Sequence, residues 1–282
     1  MLIVRKPSAM QKLSEGFRKK GKKIGFVPTM GYLHQGHIKL MKESVKISDL
    51  TVVSIFVNPI QFGPSEDYAT YPRDEKRDIE ICRETKVDVV FIPQVRDIYP
   101  KNFQTFVEVK ELQNHLCGLS RPGHFRGVAT VVAKLFNIVK PHYAFFGLKD
   151  YQQTLVIKRM VEDLNFDLKI VTLPTVREKD GLAMSSRNSY LDEEERKIAL
   201  AIPHSLKMAK ELFAREKSAK VIENKLTKFL EDKKVKVDYV KVSDAITLED
   251  IDSLEEAKKV LVAVAGFVGK TRLIDSIVLQ RR

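Results

Sequence analysis

The chain has 282 residues, enough for two domains of ordinary size and a sizeable core. Its 44% hydrophobic and 30% charged residues exclude a disordered or collagen-like chain. The net charge of +12 suits nucleic acid, an anionic membrane or phosphorylated small molecules as partners, and it is equally typical of the solvated Lys/Glu-rich surface of a heat-adapted protein.

Three features predict a cytoplasmic protein without a membrane partner. Cys82 and Cys117 can form at most one disulfide, which is typical of a reducing compartment, and we expect both to be buried free thiols. Residues 1–12 contain no continuous apolar stretch of the kind that a secretory signal needs. The longest strongly apolar run, 260–268, is far shorter than the ~20 residues of a membrane-spanning helix.

The first two thirds of the chain alternate between short β-branched apolar runs and helix-period segments. This is the pattern of a parallel sheet built from βαβ units. Strands are predicted at 23–28, 51–57, 88–92, 143–146 and 169–173. One-sided apolar stripes predict sheet-covering helices over 128–139 and 157–164.

After Arg187 the pattern changes. Asp192 and Glu195 form a capping pair, a helix with a kink before Pro203 follows, and Ser218 begins another helix. Strands are predicted at 235–242, 259–268 and 272–279. The change places a domain boundary near residue 176 and predicts a smaller α+β domain that serves as a lid or a dimerisation surface.

The first motif follows strand 23–28 and leads into an apolar helical stripe. It reads Met30-Gly31-Tyr32-Leu33-His34-Gln35-Gly36-His37. The free N–H groups and positive dipole end of a helix start favour an anion, two imidazoles added there suit a triphosphate, and Gly36 lets the backbone approach the ligand. In the alternative interpretation, one histidine caps the turn and the other is exposed. A metal site is disfavoured, because no third ligand accompanies His34 and His37 at an obvious spacing.

The second motif places Asn58 and Gln61 after the next strand, at the same expected edge of the sheet. Neutral amides beside Phe56 and Phe62 suit a small polar substrate. They can orient a nucleophilic carboxylate without the tight ion pair that an arginine would make. The alternative is an Asn-Pro turn with an exposed glutamine.

Two further loops carry cations. Arg121, His124 and Arg126 precede a helix, where they border either a phosphate pocket or an ordinary basic cap. Lys149 follows strand 143–146 and a glycine turn, where it meets a phosphate or caps the next helix. In the same segment, Gln153 is placed to share the substrate of the amide motif.

The fifth motif lies at the predicted domain boundary. Met184-Ser185-Ser186-Arg187 supplies hydroxyls and a guanidinium that can close over phosphates as charge develops. The alternative is a polar linker in which Asp180-Gly181 forms a turn. Gly269-Lys270-Thr271 resembles the end of a phosphate-binding loop, but Val264 stands where that motif needs a glycine, so we predict a hairpin turn there.

In this order and spacing, the five motifs resemble the pantoate–β-alanine ligase family, the pantothenate synthetases of the H-x-G-H nucleotidyltransferase superfamily. The resemblance covers nearly the whole chain and is strongest from residue 26 to 190. It implies an α/β fold with a Rossmann-like parallel-sheet nucleotide-binding domain (1–176), a smaller α+β C-terminal lid domain (177–282) and a homodimer.

The resemblance also implies an enzyme, a carbon–nitrogen ligase of coenzyme A biosynthesis. Such a ligase uses ATP and Mg²⁺ to turn D-pantoate into pantoyl adenylate and pyrophosphate, after which β-alanine displaces AMP to give pantothenate. The ATP contacts that it implies are Met30, Gly31, Tyr32, Leu33, His34, Gln35, Gly36, His37, Gly147, Leu148, Lys149, Asp150, Val176, Met184, Ser185, Ser186 and Arg187.

The remaining roles concern the acid substrate and catalysis. Gln61 and Gln153 match the family's pantoate-binding glutamines, Gln61 matches a position that in the family also lies near β-alanine, and Asn58 matches a polar pocket position. His37 matches the proton donor. The candidate catalytic residues, which neutralise charge on the departing pyrophosphate, are His34, His37, Lys149 and Arg187. The ligands of Mg²⁺ are not identified.

Two other functions stay open at this point. A nucleotidyltransferase that keeps the nucleotide in its product would need a cationic acceptor site where Gln61 and Gln153 stand. An RNA-binding module related to class I aminoacyl-tRNA synthetases fits the signature and the basic charge. However, the lysines are spread among acidic residues and no RNA-binding aromatic motif is visible, so we expect no nucleic-acid partner.

Overall fold

A computed structural model describes residues 1–64, 66–255, 257 and 259–280. The chain divides into two compact units. The first contains residues 1–110, 121–148 and 153–174, and the second contains residues 111–120, 149–152 and 175–282. The second unit thus includes two short segments from the earlier part of the chain, which the sequence pattern did not separate from their surroundings.

Six strands within the described residues form one parallel sheet in the first unit, in the order β1-β4-β3-β2-β5-β6. Their bounds are β1 Leu2–Val4, β2 Ile24–Thr29, β3 Leu50–Ile55, β4 Val89–Phe91, β5 Tyr143–Gly147 and β6 Lys169–Leu173. The central strands are buried almost throughout, as expected when helices cover both faces of a parallel sheet. The predicted α/β architecture and its five strands are therefore confirmed, and β1 is an edge strand that the prediction omitted.

The helices that follow these strands carry the loops of the candidate site. Their bounds are α1 Pro7–Lys19, α2 Gln35–Ile47, α3 Glu75–Glu84, α4 Val95–Ile98, α6 His124–Val139 and α7 Tyr151–Asp163, while the short helix α5 Cys117–Ser120 belongs to the second unit. Helix α2 packs on β2, β3 and β5, and α6 packs against α1 and β2. Helix α6 is buried along most of its length, because its apolar residues spread well beyond the predicted stripe.

The second unit has a small antiparallel sheet, β7-β8-β9, among its described residues. Its elements are α8 Glu193–Ala199, α9 Ala201–Phe213, α10 Ala219–Asp232, β7 Lys236–Asp244, β8 Val260–Val268 and β9 Thr271–Leu279. The predicted capping pair is confirmed, since Asp192 and Glu195 form a reciprocal capping box at the start of α8. The helix is interrupted after Ala199, four residues before Pro203, because the proline ring clashes with the carbonyl of residue i−4.

The β8–β9 turn and the two cysteines also have the predicted structure. Val268 pairs with Thr271 across the turn between β8 and β9, which confirms the predicted hairpin. Cys82 and Cys117 are buried and form no disulfide, as expected, and burial raises the pKa of Cys82 to about 12. No helix in the ranges 1–64, 66–255 and 259–280 is long and apolar enough to cross a membrane.

Candidate active site

The loop 30–37 joins the carboxyl end of β2 to the start of α2. It turns sharply at Tyr32, whose φ of 48° lies in the left-handed region. Asp78 of α3, only 1% exposed, holds this turn by accepting the N–H groups of Tyr32 and Leu33, each at 2.7 Å. Arg77 donates to the Leu33 carbonyl at 3.0 Å. The prediction missed Asp78, which is the loop's main anchor.

Two opposing influences act on the Asp78 carboxyl. Burial raises its pKa, because a low-dielectric environment penalises the charged form. The N–H groups of Leu33 and Tyr32 and the charge of Arg77 oppose that rise, because they stabilise the carboxylate. The carboxylate is the form that fits the geometry, since both of its oxygens face N–H donors.

His34 and His37 form a reciprocal capping box at the start of α2. The Nδ1 of His34 accepts the Gly36 N–H at 3.1 Å, and the His34 N–H donates to Nδ1 of His37 at 3.3 Å. A backbone N–H can only donate, so both Nδ1 atoms are acceptors and each neutral ring carries its proton on Nε2. The ring centroids are 4.1 Å apart. The loop therefore brings two Nε2–H donors together at a helix N-terminus, where an anion is favoured.

The structure shows a second reason for a glycine at position 36, besides the predicted close approach of a ligand. A Cβ at Gly36 would lie 2.8 Å from Cε1 of His34. The glycine is needed because the His34 ring folds over it to cap the helix. The alternative interpretation is confirmed for His34, which caps the turn, and is wrong for His37, which is half-buried and takes part in the same capping box. Capping fixes the tautomer of the His34 ring.

The amide motif lies in a 3₁₀ turn, Pro59–Gln61, after β3. Asn58 is 1% exposed, and its Nδ2 donates to Gln61 Oε1 at 2.9 Å and to the Gly127 carbonyl at 3.1 Å. Gln61 is half-buried, and its Nε2 lies 3.3 Å from the Met30 sulfur. The amide motif and the loop 30–37 are therefore in contact, as their predicted place at one sheet edge implied.

A cavity of about 160 Å³ opens beside Gln61, with Phe62, Phe106 and Arg126 also in its wall. His124 Nδ1 lies 2.8 Å from the Gln61 carbonyl oxygen. A polar side chain of the cavity wall thus binds the backbone of the same glutamine whose side chain meets the loop 30–37.

The predicted phosphate pocket at residues 121–126 is different in the structure. Arg121 forms a bidentate ion pair with Glu66 and also lies 3.2 Å from the Nε2 of His124. Burial alone would raise the pKa of Glu66, but the hydrogen bond and charge of Arg121 hold the pKa below its usual value. Because Glu66 pairs with Arg121, this loop offers less positive charge than its sequence predicted.

The segment that carries Lys149 and Gln153 follows β5. Gly147 ends the strand, Leu148–Asp150 form a 3₁₀ turn, and Gln153 lies half-buried in the first turn of α7. Gly147, Leu148 and Gln153 belong to the first unit, whereas Lys149 and Asp150 belong to the second. A strand, a glycine and a helix start are thus present as predicted.

Within the second unit, Val176 and Met184 are neighbours although eight positions separate them in the sequence. The Met184 N–H donates to the Val176 carbonyl at 2.9 Å, and Arg177 bridges to Ala183 in antiparallel fashion. Ser185 then caps a 3₁₀ turn, Ser186–Tyr190, by accepting the N–H of Arg187 at 3.3 Å. The structure therefore joins the predicted ATP contacts of this unit into one small hairpin and turn.

Ion pairs hold this hairpin to the rest of the second unit. Arg177 binds both oxygens of Asp275, a carboxylate that is 2% exposed, at 2.5 and 3.0 Å. Arg196 binds Glu178 at 2.7 Å and Asp180 at 2.6 Å. These bonds contradict the alternative of a polar linker, because a linker would not be fixed at three carboxylates.

The described residues provide no ready-made metal centre. Across 1–64, 66–255, 257 and 259–280, no group of three or more His, Cys, Asp or Glu side chains could hold an ion. Asp78, the carboxylate that holds the loop 30–37, uses both oxygens on backbone N–H groups.

Comparison with known proteins identifies one family over nearly the whole chain. The model of the family described as pantoate-beta-alanine ligase matches residues 2–278. The chain is 53% identical over 281 residues to the pantothenate synthetase of Pseudothermotoga lettingae, covering 99% of both proteins. It is 54% identical over 281 residues to that of Thermotoga neapolitana, covering 99% of this chain and 100% of the relative.

Solved structures agree with these sequence matches. The crystal structure of pantothenate synthetase from Thermus thermophilus is 41% identical, with a TM-score of 0.91 over 98% of this chain and 99% of that one. The pantoate-β-alanine ligase of Francisella tularensis, complexed with β-γ ATP and β-alanine, is 37% identical, with a TM-score of 0.81 over 99% of this chain and 97% of that one. Sequence motifs, fold and relatives agree, and the chain belongs to the pantoate–β-alanine ligase family.

Proposed function

We propose that this chain joins D-pantoate to β-alanine to give pantothenate, with cleavage of ATP to AMP and pyrophosphate through a pantoyl-adenylate intermediate. In the first step the pantoate carboxylate attacks the α-phosphate and pyrophosphate leaves. In the second, the neutral amine of β-alanine attacks the acyl carbon and AMP leaves. The observation that supports this most directly is the pair of Nε2–H donors at the start of α2, in a loop that contacts the amide of Gln61.

ATP is proposed to bind along the loop 30–37 and the segment 147–150, with Val176 and Met184–Arg187 as further contacts. His34 and His37 are suited to the departing pyrophosphate, because their N–H groups are fixed by backbone bonds before the reaction begins. Lys149 and Arg187 would add formal positive charge. A preorganised donor of this kind is worth about 3 to 4 kcal/mol in a dry site.

Pantoate is proposed to bind Gln61 and Gln153. A neutral amide can hold the carboxylate without neutralising it, so the carboxylate stays nucleophilic. The cavity beside Gln61 is the proposed entry for β-alanine, and the relative from Francisella tularensis is the precedent for binding both ATP and β-alanine. The same neutral amides disfavour a phosphorylated acceptor, which would need cations at these positions.

We also propose how Mg²⁺ reaches the site, how the second unit moves and how the chain assembles. Mg²⁺ would arrive with ATP, because phosphate oxygens and water usually supply most of its ligands and the described side chains form no cluster for it. Movement of the second unit as a lid and assembly into a homodimer are also proposed, together with a cytoplasmic location. Analytical ultracentrifugation tests the dimer directly.

A product assay tests the function. The purified chain is incubated with ATP, Mg²⁺, D-pantoate and β-alanine, and then with each component omitted in turn. With every substrate present we expect pantothenate, AMP and pyrophosphate in equal amounts. Without β-alanine we expect no pantothenate and no continuing turnover, because the reaction stops at pantoyl adenylate and pyrophosphate. Formation of ADP instead of AMP, or no pantothenate at all, would contradict the proposal.

A further inference from the structure

We propose that Tyr99 is a positioning residue for pantoate, which acts through Asn58 to fix the orientation of the Gln61 side-chain amide. The inference rests on the proposed function only in assigning pantoate to Gln61. The orientation itself follows from three hydrogen bonds among buried and half-buried groups of the first unit.

The chain of bonds begins at a group with one possible role. The carbonyl of Gly127 can only accept, so the Asn58 atom that lies 3.1 Å from it must be the NH₂ group. The other side-chain atom of Asn58 is then its oxygen, which lies 2.7 Å from the Tyr99 hydroxyl. Tyr99 must therefore donate.

The Asn58 amide in turn fixes the orientation of the Gln61 amide. The second hydrogen of the Asn58 NH₂ group points to Gln61 at 2.9 Å, so the Gln61 atom that receives it must be Oε1. Gln61 consequently presents Nε2, and not oxygen, on its other side. The Gly127 carbonyl determines this orientation, and the Tyr99 hydroxyl stabilises it by donating to the buried Asn58 oxygen. A flipped amide at Asn58 or at Gln61 would break the chain of bonds.

Burial makes the chain of bonds costly to reverse. Asn58 is 1% exposed, and a buried polar atom without a partner is strongly unfavourable. Burial raises the pKa of Tyr99, so its hydroxyl keeps the proton that it donates. The Tyr99 ring also packs edge-on against Phe103 at 5.0 Å between centroids.

The orientation places the Nε2 donor of Gln61 where the pantoate carboxylate is proposed to bind. Nε2 of Gln61 now meets only the Met30 sulfur, at 3.3 Å, among the bonds described. A thioether is a weak acceptor that a substrate oxygen can replace without loss. A reversed amide would instead turn Oε1 towards the pantoate carboxylate, and two oxygens with no proton between them repel.

The test replaces Tyr99 by Phe, which removes the hydroxyl but keeps the ring. We expect the KM for D-pantoate to rise at least about tenfold, the factor that corresponds to about 1.4 kcal/mol, while the KM for ATP stays within about twofold. Tyr143→Phe is the matched control, because Tyr143 lies at the start of β5, outside this chain of bonds, and should leave both values unchanged. An unchanged pantoate KM in folded Tyr99→Phe would overturn the inference.

A double-mutant cycle separates action through Gln61 from a general structural effect. In a Gln61→Ala background, Tyr99→Phe should cause no further rise in the pantoate KM, because the amide that it orients is gone. Additive effects of the two substitutions would contradict the inference.

A readout without substrate distinguishes this inference from the proposed function. The ¹⁵N–¹H resonances of the Asn58 and Gln61 side-chain amides should shift in Tyr99→Phe and stay in place in Tyr143→Phe. If they shift but the wild-type chain shows no activity with pantoate, the proposed function fails and the orientation stands. If they do not shift, the orientation itself is wrong.

Discussion

Replacement of Asp78 tests whether a buried carboxylate sets the shape of the loop 30–37. Asp78→Asn keeps the size of the side chain but turns one acceptor into an NH₂ donor, which then faces a backbone N–H. Asp78→Ala removes both acceptors and leaves the N–H groups of Tyr32 and Leu33 without the bonds that Asp78 accepts. The left-handed backbone at Tyr32 then loses the carboxylate that holds it.

The two substitutions should differ in the size of their effect, because Asp78→Asn removes one acceptor and Asp78→Ala removes both. Each buried N–H left without a partner costs about 1–3 kcal/mol, and the loss is offset in part because neither variant buries a charge. We therefore expect a loss of about 1.5 kcal/mol for Asp78→Asn and about 3 kcal/mol for Asp78→Ala. If the loop 30–37 keeps its shape in the variants, this loss appears as a lower free energy of unfolding. If the loop relaxes instead, ATP must reorder it on binding, and the KM for ATP rises by up to about tenfold in Asp78→Asn and about 150-fold in Asp78→Ala.

The assay combines urea unfolding with ATP–pyrophosphate exchange at varied ATP concentration. Glu80→Gln is the control on the same helix, because Glu80 pairs with Arg83 at the surface and such pairs contribute little. If both Asp78 variants match the wild type in unfolding free energy and in KM for ATP, the carboxylate does not anchor the loop and the reasoning fails.

Three further predictions concern the same unit. His37→Ala should slow adenylation about 100- to 1000-fold in exchange assays, because it removes a fixed donor, and near-normal exchange would refute that role. Gly127→Ala should raise the KM for pantoate more than the KM for ATP, because a Cβ at this position would collide with the Ile60 carbonyl oxygen. Equal changes of the two KM values in steady-state kinetics would contradict this prediction. The wild type should have a larger free energy of unfolding than Glu66→Gln at neutral pH. This difference should disappear as the pH falls through the lowered pKa of Glu66, because protonation of Glu66 breaks its ion pair with Arg121. A difference that does not depend on pH in urea titrations would contradict this.

The elements that the sequence predicted best are those with a long, local signal. The central strands are continuous apolar runs bounded by turn residues, and the predicted strand 169–173 has the observed bounds. Strand β1 was missed because its three residues are too short to show a period, and two of them are exposed at the sheet edge. The interruption before Pro203 was predictable because proline's clash is a local property.

In the candidate site, too, residues with a local sequence signal were predicted and residues without one were missed. The loop 30–37 and the amide motif were found because each places polar residues where a predicted strand ends. Asp78, Tyr99 and Glu66 were missed, because their partners lie about 40 or more residues away in sequence and only the fold brings them close. One signal for Asp78 existed, since it lies four positions before the buried Cys82 and so on the apolar face of its helix.

The central claim is the reversible formation of an acyl adenylate from pantoate. ATP–pyrophosphate exchange with Mg²⁺ and D-pantoate, in the absence of β-alanine, tests it most directly. We expect exchange that depends on D-pantoate and is absent with amino acids or without any acid. Absence of pantoate-dependent exchange, together with no release of AMP on adding β-alanine, would contradict the claim.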